Sequence, residues 1–393
     1  MKKITISLLL ILLPVLIFAQ SWKKLHYKAV LIDTHNDFPS VSIEKQVSFD
    51  QDLRGKTNSD LARVKEGGLD GQLFSIFCDG VQQNPYAFAN REIDSVYEWV
   101  RRNPNKMMMV YTPEDLQKAI SEKKFATMLG VEGGHMIENS LDNLDKLYNR
   151  GVRYMTLTWN KSTSWATSAL DETTKKDSLP HKGLTDFGKQ VVKRMNELGM
   201  IVDISHVGEQ TFWDAINTSA KPVIASHSCV YNLCPHRRNL KDEQIKAIGK
   251  NGGVIHLNFY SGFLDSTYEK KQASFLESHK TELDSLIKTG IQTDYAAIIL
   301  SQQYLTETNS FRPPLSLLID HIDYIVKLIG VDHVGIGSDF DGCESTPIGL
   351  DGVEHYPLIT KALKERGYSN EDVVKILGGN FMRVFKEVQM PHP

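Results

Sequence analysis

The chain has 393 residues, with 45 Lys and Arg against 48 Asp and Glu, a formal net charge of −3. Its 41% hydrophobic and 24% charged content is that of an ordinary globular protein, which excludes wholesale disorder and fibrous repeats. The near-neutral balance gives no electrostatic reason for a nucleic-acid partner, and the length admits either two domains or one large barrel.

Lys2 and Lys3 precede an almost unbroken apolar run from Ile4 to Phe18, and the small residue Ala19 follows. A charged n-region, an apolar h-region and a processing site make residues 1–19 a secretory signal peptide, with the mature chain starting near Gln20 or Ser21. The run is shorter than the ~20 residues a spanning helix needs, which counts against an uncleaved anchor. No Cys follows it to carry a lipid, and no later segment is apolar and long enough to cross a bilayer. The expectation is an exported protein, periplasmic or extracellular, whose residues 20–393 form one domain. Export places Cys78, Cys229, Cys234 and Cys343 where disulfides persist. Cys229 and Cys234 are near enough for a small loop, but a core this large needs no staple, and buried thiols are the preferred reading. No paired CxxC motif supports a thiolate zinc site.

Short β-branched runs then recur along the chain: Ala29–Asp33, Gly71–Phe77, Ala126–Val131, Arg153–Thr158, Met200–Ile204, Pro222–Ser226, Gly253–Leu257 and His333–Gly337. Each is continuously hydrophobic instead of alternating, as parallel strands buried on both faces are. Amphipathic segments lie between them: Asn90–Arg102, Pro113–Glu122, Ser140–Arg150, Thr185–Leu198, Gly208–Asn217 and Asp242–Gly249. Eight strands alternating with helices predict an α/β fold of the (β/α)8 type, the number that closes a barrel. The runner-up, an open doubly wound sheet, lacks the GxGxxG that would open its first helix. Residues 261–312 are charged and mostly helical, too long for a simple connection, and predict a helical insertion between the seventh and eighth strands. In the tract Pro357–Val388, two helices are expected to meet near Gly367–Tyr368, and Gly378-Gly379-Asn380 reads as a tight turn before the last helix.

The chemistry collects just after the strands. The first runs into Asp33-Thr34-His35-Asn36-Asp37, where extended backbone points His35 and Asp37 to the same side. The third ends in Glu132-Gly133-Gly134-His135, the fifth in Asp203-Ile204-Ser205-His206, the sixth in Ser226-His227-Ser228 and the eighth in Ser338-Asp339-Phe340-Asp341. Taken singly, each is an ordinary turn or a hydrogen-bonded core histidine. Together they bring His, Asp and Glu from five strands to the barrel face where active sites are built. Burying so many polar groups without a metal or close pairing would cost several kcal/mol. Imidazoles and carboxylates suit zinc and similar divalent ions, and five ligands serve two ions sharing a carboxylate. The reading is metal-assisted hydrolysis, with a metal-bridging hydroxide as nucleophile and Asp339 as the carboxylate that moves protons.

The ordered set LIDTHND, VEGG, DISH, ASHS, Arg238-Asn239 and GSDFDG resembles the membrane dipeptidase family over nearly the whole mature chain, excepting residues 261–312. The resemblance implies a dinuclear zinc dipeptidase on a (β/α)8 barrel, with two Zn2+ as cofactors. It implies that His35 and Asp37 bind one zinc, that His206 and His227 bind the other, and that Glu132 bridges them. Arg238, with Tyr260, would hold the substrate's C-terminal carboxylate, which a guanidinium fork suits. Asp339 would face the bridging water and the substrate's ammonium group. By analogy with the family, a homodimer and tolerance of a D-residue at the C-terminal position are further expectations.

One departure stands out. Family members commonly carry a His after the fourth strand, where it steadies the tetrahedral intermediate, and here Thr156-Leu157-Thr158-Trp159-Asn160 places Trp159 in that position. Indole donates one hydrogen bond and does not titrate, so Asn160 or a neighbour is left to supply the donor. Losing one such donor can cost about 10²–10³ in rate. The alternatives are a related metallohydrolase acting on lactones or N-acyl amino acids, and a non-catalytic metal-binding barrel. Met390-Pro391-His392-Pro393 is no hydrophobic tail, so the family's C-terminal lipid anchor is not expected. His135 reads as a structural residue near Glu132. His181, His236, His279, His321, His333 and His355 read as surface, loop or cap residues. Trp159 and Trp165 are candidates to line the pocket, whereas Trp99 and Trp213 are expected to pack on helices.

Overall fold

The computed structural model describes residues 21–291 and 293–390, so the expected signal peptide lies outside the described residues. Nine strands form one sheet: β1 (Ile32–Asn36), β2 (Gly71–Phe77), β3 (Met107–Met109), β4 (Phe125–Glu132), β5 (Val152–Thr156), β6 (Ile201–Asp203), β7 (Ile224–Ser228), β8 (Val254–Leu257) and β9 (Val334–Ile336). Eight of them close into a parallel ring in the order β2-β1-β9-β8-β7-β6-β5-β4, with β4 pairing back onto β2 along Gly71–Phe77. The fold is the expected (β/α)8 barrel. β3 pairs only with the start of β4, Met107–Met109 beside Phe125–Thr127, and stands outside the ring. Three methionines are too short a run to carry a periodicity.

The starts of the strands point apolar side chains into the barrel. Ile32, Leu73, Met128, Tyr154, Ile201, Ile224 and Val254 cluster there with Phe381, Val384, Phe385 and Val388. The last four belong to the C-terminal helix Asn380–Gln389, which closes that mouth. Burying each large side chain contributes about 1.5–3 kcal/mol. The opposite mouth, where the strands end, is left for chemistry. A second, larger core lies between the strands and the surrounding helices.

Four expectations are corrected. No tight turn occurs at Gly378-Gly379-Asn380, because the helix Asn370–Val374 continues through a π-helical stretch, Lys375–Gly379, directly into the last helix. Gly378 is there for close approach: a Cβ on it would lie 2.6 Å from the Val30 carbonyl oxygen. Trp165 is a core residue, 1% exposed, and its ring fills the space beside Gly134. His321 lies inside the helix Leu315–Ile329 with Nδ1 accepting from the Val230 N–H at 3.0 Å, instead of at the surface. His236 is also buried, stacked on Phe263 with ring centroids 4.7 Å apart.

The insertion is helical as expected, running through Ser261–Leu264, Tyr268–Ser278, Lys280–Lys288, Thr293–Gln303 and Leu305–Asn309 between β8 and β9. All four cysteines are free thiols. Among the described residues no helix is long and apolar enough to cross a membrane.

Candidate metal centre

Five strands deliver the site. His35 lies within β1 and Asp37 just beyond it, Glu132 ends β4, and His227 lies in β7. His206 follows β6 and Asp339 follows β9, each in a left-handed conformation with φ of 63° and 62°. His and Asp tolerate that region better than most residues, and such backbone strain concentrates where side chains must be aimed.

Glu132 sits at the middle. Its Oε2 lies 3.5 Å from His35 Nε2, while Oε1 lies 2.9 Å from His206 Nε2 and 3.4 Å from His227 Nε2. His35 Nε2 is also 3.5 Å from Asp37 Oδ2 and 3.9 Å from Asp339 Oδ1. Three groups of donors therefore converge, each within 4.8 Å: His35 with Asp37 and Glu132, Glu132 with His206 and His227, and His35 with His227 and Asp339. One carboxylate shared between two donor sets is the arrangement that two adjacent cations require.

The outer hydrogen bonds decide which ring nitrogens face inward. His206 Nδ1 lies 3.1 Å from Asn160 Oδ1, an acceptor, so Nδ1 carries the proton and Nε2 a lone pair. His227 Nδ1 lies 2.8 Å from Ser226 Oγ, whose own proton goes to Asp203 Oδ2 at 2.6 Å, with the same consequence. The two Nε2 atoms are nevertheless 2.9 Å apart. Lone pairs so close repel unless a cation sits against both, and such second contacts are what orient metal-binding histidines. His35 Nε2 and Asp37 Oδ1 are buried without a hydrogen bond. The donor set fits a divalent cation on both counts.

The electrostatics agree. Burial, with the Arg238 charge nearby, lowers His206 to about 3, and burial with His35 holds His227 well below its ordinary value. Both imidazoles are neutral, as ligands must be. Burial alone would raise Glu132, but the His35 charge, with the two other imidazoles close by, holds it well below the usual carboxylate range. Burial would also lower His35, yet Tyr154, Glu132 and Asp37 outweigh it and push the imidazole well up. The proton there answers the negative field that a metal ion would meet. Asp339 is driven up by burial and by Asp37, and Asn258 Nδ2 donates to its Oδ2 at 2.8 Å.

Arg238 comes from the long loop after β7. It is 5% exposed, its Nη2 donates to the His227 carbonyl at 3.2 Å, and its Nε has no partner. It forms no ion pair among the described residues, although burial lowers it only to about 10, so the charge stays. The Phe263 ring lies 5.3 Å from the guanidinium carbon, and Tyr260 packs edge-on against Phe263 at 4.8 Å. The Tyr260 hydroxyl is turned to Glu344, and burial with that carboxylate raises the phenol well above its ordinary value. Asn160 is a support of His206 as it stands. Trp159 leans toward the site, 6.3 Å from the His206 ring and 4.9 Å from Phe77. His135 binds the Cys78 carbonyl at 2.9 Å and is structural, and Asp341 accepts from Asn58 N and Ser59 Oγ, shaping a loop.

Sequence reasoning missed Tyr154, whose hydroxyl lies 2.8 Å from His35 Nδ1, together with Ser226, Asn258 and Phe77. Tyr154 lies in a strand and reads as core. Only its place in β5, two residues before the strand's end, marks it as facing the barrel interior.

A profile of the membrane dipeptidase family (peptidase family M19) matches residues 19–392. An uncharacterized dipeptidase of Schizosaccharomyces pombe is 32% identical over 391 residues, covering 94% of this chain and 83% of its own length. The crystal structure of the probable dipeptidase PvdM from Pseudomonas aeruginosa has a TM-score of 0.76 at 27% identity, with 95% of this chain and 98% of that one covered. A metallopeptidase from Rhodobacter sphaeroides, liganded with a phosphinate mimic of the dipeptide L-Ala-D-Ala, gives 0.74 at 21% identity with 92% and 99% covered, a likeness of fold.

Proposed function

This chain belongs to the membrane dipeptidase family of metallopeptidases, and from that premise we propose that it is an exported zinc dipeptidase acting on dipeptides with both ends free. In this reading His35 and Asp37 hold one zinc, His206 and His227 hold the second, and Glu132 is shared by both. When bound, such ions lower the pKa of a water toward neutrality and polarise the scissile carbonyl.

The chain's own groups do the rest. Asp339, fixed by Asn258, takes the proton of the attacking water and returns it to the leaving amine. Its carboxylate also faces the substrate's ammonium group. Arg238 forks onto the C-terminal carboxylate, with Tyr260 one ring away. Trp159 and Asn160 border the scissile bond from the β5 side. Export rests on the Lys2-Lys3 and Ile4–Phe18 pattern. Acceptance of a D-residue at the C-terminal position is part of the proposal, and the mimic held by the Rhodobacter enzyme is a ligand of that class.

The observation that carries the reading is Arg238, a buried guanidinium beside the metal centre that has no ion pair among the described residues and whose Nη2 meets the His227 carbonyl. Its unpartnered Nε leaves a donor that a substrate carboxylate would complete. The test is hydrolysis of L-Ala-L-Ala, L-Ala-D-Ala and their N-acetylated and C-amidated forms, after chelation and again after zinc is restored. Zinc-restored cleavage confined to the doubly free dipeptides is expected. Cleavage confined to blocked substrates would overturn the dipeptidase assignment.

A further inference from the structure

Phe77, at the end of the strand opposite the one that feeds Arg238, and Trp159, beyond β5, form an aromatic wall at the barrel mouth, and we infer that this pair selects an apolar or aromatic side chain on the substrate's N-terminal residue. The inference rests on the dipeptidase reading above and adds the specificity of its other end.

The ring of strands sets the direction in which a bound dipeptide runs. Going from β2 to β7 passes β1, β9 and β8 in one direction and β4, β5 and β6 in the other, so the two strands are diametrically opposed. β7 feeds the loop that carries Arg238, and Phe77 is the last residue of β2. A dipeptide whose carboxylate is pinned at Arg238 and whose peptide bond lies over Glu132 must send its other residue toward β2. There the Trp159 and Phe77 rings lie 4.9 Å apart, tilted by 60°, and both are only half-buried. Glu132 ends the strand between theirs, in register with Phe77 of β2 on one side and with Thr156 of β5 on the other.

The wall is built. Gly133 has φ of +106°, and a Cβ on it would come within 2.4 Å of the His135 ring and 3.4 Å of Trp159 Cβ. The turn after Glu132 therefore tucks under the indole as only glycine allows. His135 in turn binds the Cys78 carbonyl and fixes the end of β2 beside Phe77. The flanking charges Lys161 and Asp79 face each other at the rim, Lys161 Nζ lying 3.4 Å from Asp79 Oδ1. What remains for an incoming side chain is ring surface, which favours apolar contact.

The test compares kcat/KM of the zinc-loaded enzyme for Phe-Ala, Leu-Ala, Gly-Ala and Asp-Ala, and separately for Ala-Phe and Ala-Gly. The enzyme is expected to prefer Phe-Ala over Gly-Ala by about thirtyfold. Phe77→Ala and Trp159→Ala are each expected to reduce that ratio about tenfold, while the ratio of Ala-Phe to Ala-Gly moves less than about twofold. Phe77→Leu and Trp159→Phe keep apolar surface and should retain most of the preference, which separates lost contact from lost folding. A wild-type ratio near one, or variants that shift the C-terminal preference instead, would overturn the inference while leaving the dipeptidase reading intact. Failure to cleave any dipeptide would remove both.

Discussion

In the proposed function Arg238 and Asp339 have separable duties, and kinetics can tell them apart. Arg238→Met removes the counter-charge for the substrate carboxylate and is expected to raise KM by about a hundredfold with a smaller change in kcat. Asp339→Asn keeps the Asn258 contact but cannot move a proton, so kcat should fall by about 10²–10⁴ while bound zinc stays level. A variant in which both parameters move equally at both positions would contradict this division. Asn160→Leu leaves His206 Nδ1 without its acceptor and is expected to weaken zinc binding about 10- to 100-fold, read by competition with a chelator. The convergence of these His and carboxylate side chains was legible because such residues at the ends of buried strands have few other reasons to be there. Tyr154, Ser226 and Asn258 were not, because residues that act through a neighbour look like ordinary core or loop.

At the level of elements, buried carboxylates tie the strand ends into one platform. Asp33 accepts from Ser338 N at 2.9 Å, from Ser338 Oγ at 2.6 Å and from Tyr356 OH at 2.6 Å, joining β1 to the segment that carries Asp339. Asp203 accepts from Ser226 N at 2.8 Å as well as from its hydroxyl, joining β6 to β7 beneath His206 and His227. The eight barrel strands were readable as continuous apolar runs, but their ends drift: β1 extends to Asn36, which puts His35 inside the strand. The π-helical stretch was not readable, since Gly378-Gly379 signals a turn locally and its actual cause, the Val30 carbonyl, is 348 residues away in the chain. Gly378→Val is therefore expected to cost about 1–3 kcal/mol of stability, seen as a lowered thermal midpoint. An unchanged midpoint would mean that the helix and β1 are not held at that distance.

For the whole molecule, the barrel separates a sealed end that supplies stability from an open end that supplies chemistry. Asp70 lies at the sealed end, its Oδ2 accepting from Leu31 N at 2.9 Å and so tying the starts of β1 and β2. Burial raises its carboxyl to about 6. A carboxyl raised on folding gives stability that is fully present below its unfolded value of about 3.9 and is lost as pH rises through 6. Between pH 4 and 6.5 the wild type should accordingly lose on the order of 2 kcal/mol relative to Asp70→Asn, measured as the difference between their unfolding free energies. Parallel curves would show that Asp70 titrates as an ordinary exposed acid.

The proposed sharing of Glu132 by two metal ions is what would make this one peptidase centre. Its most direct test is titration of the metal-free enzyme with zinc, following L-Ala-L-Ala hydrolysis against metal bound per chain. Two tightly held ions per chain are expected, with full activity only at the second, and with both the second ion and turnover lost in Glu132→Gln. Full activity at one ion per chain, unchanged in stoichiometry by Glu132→Gln, would contradict it.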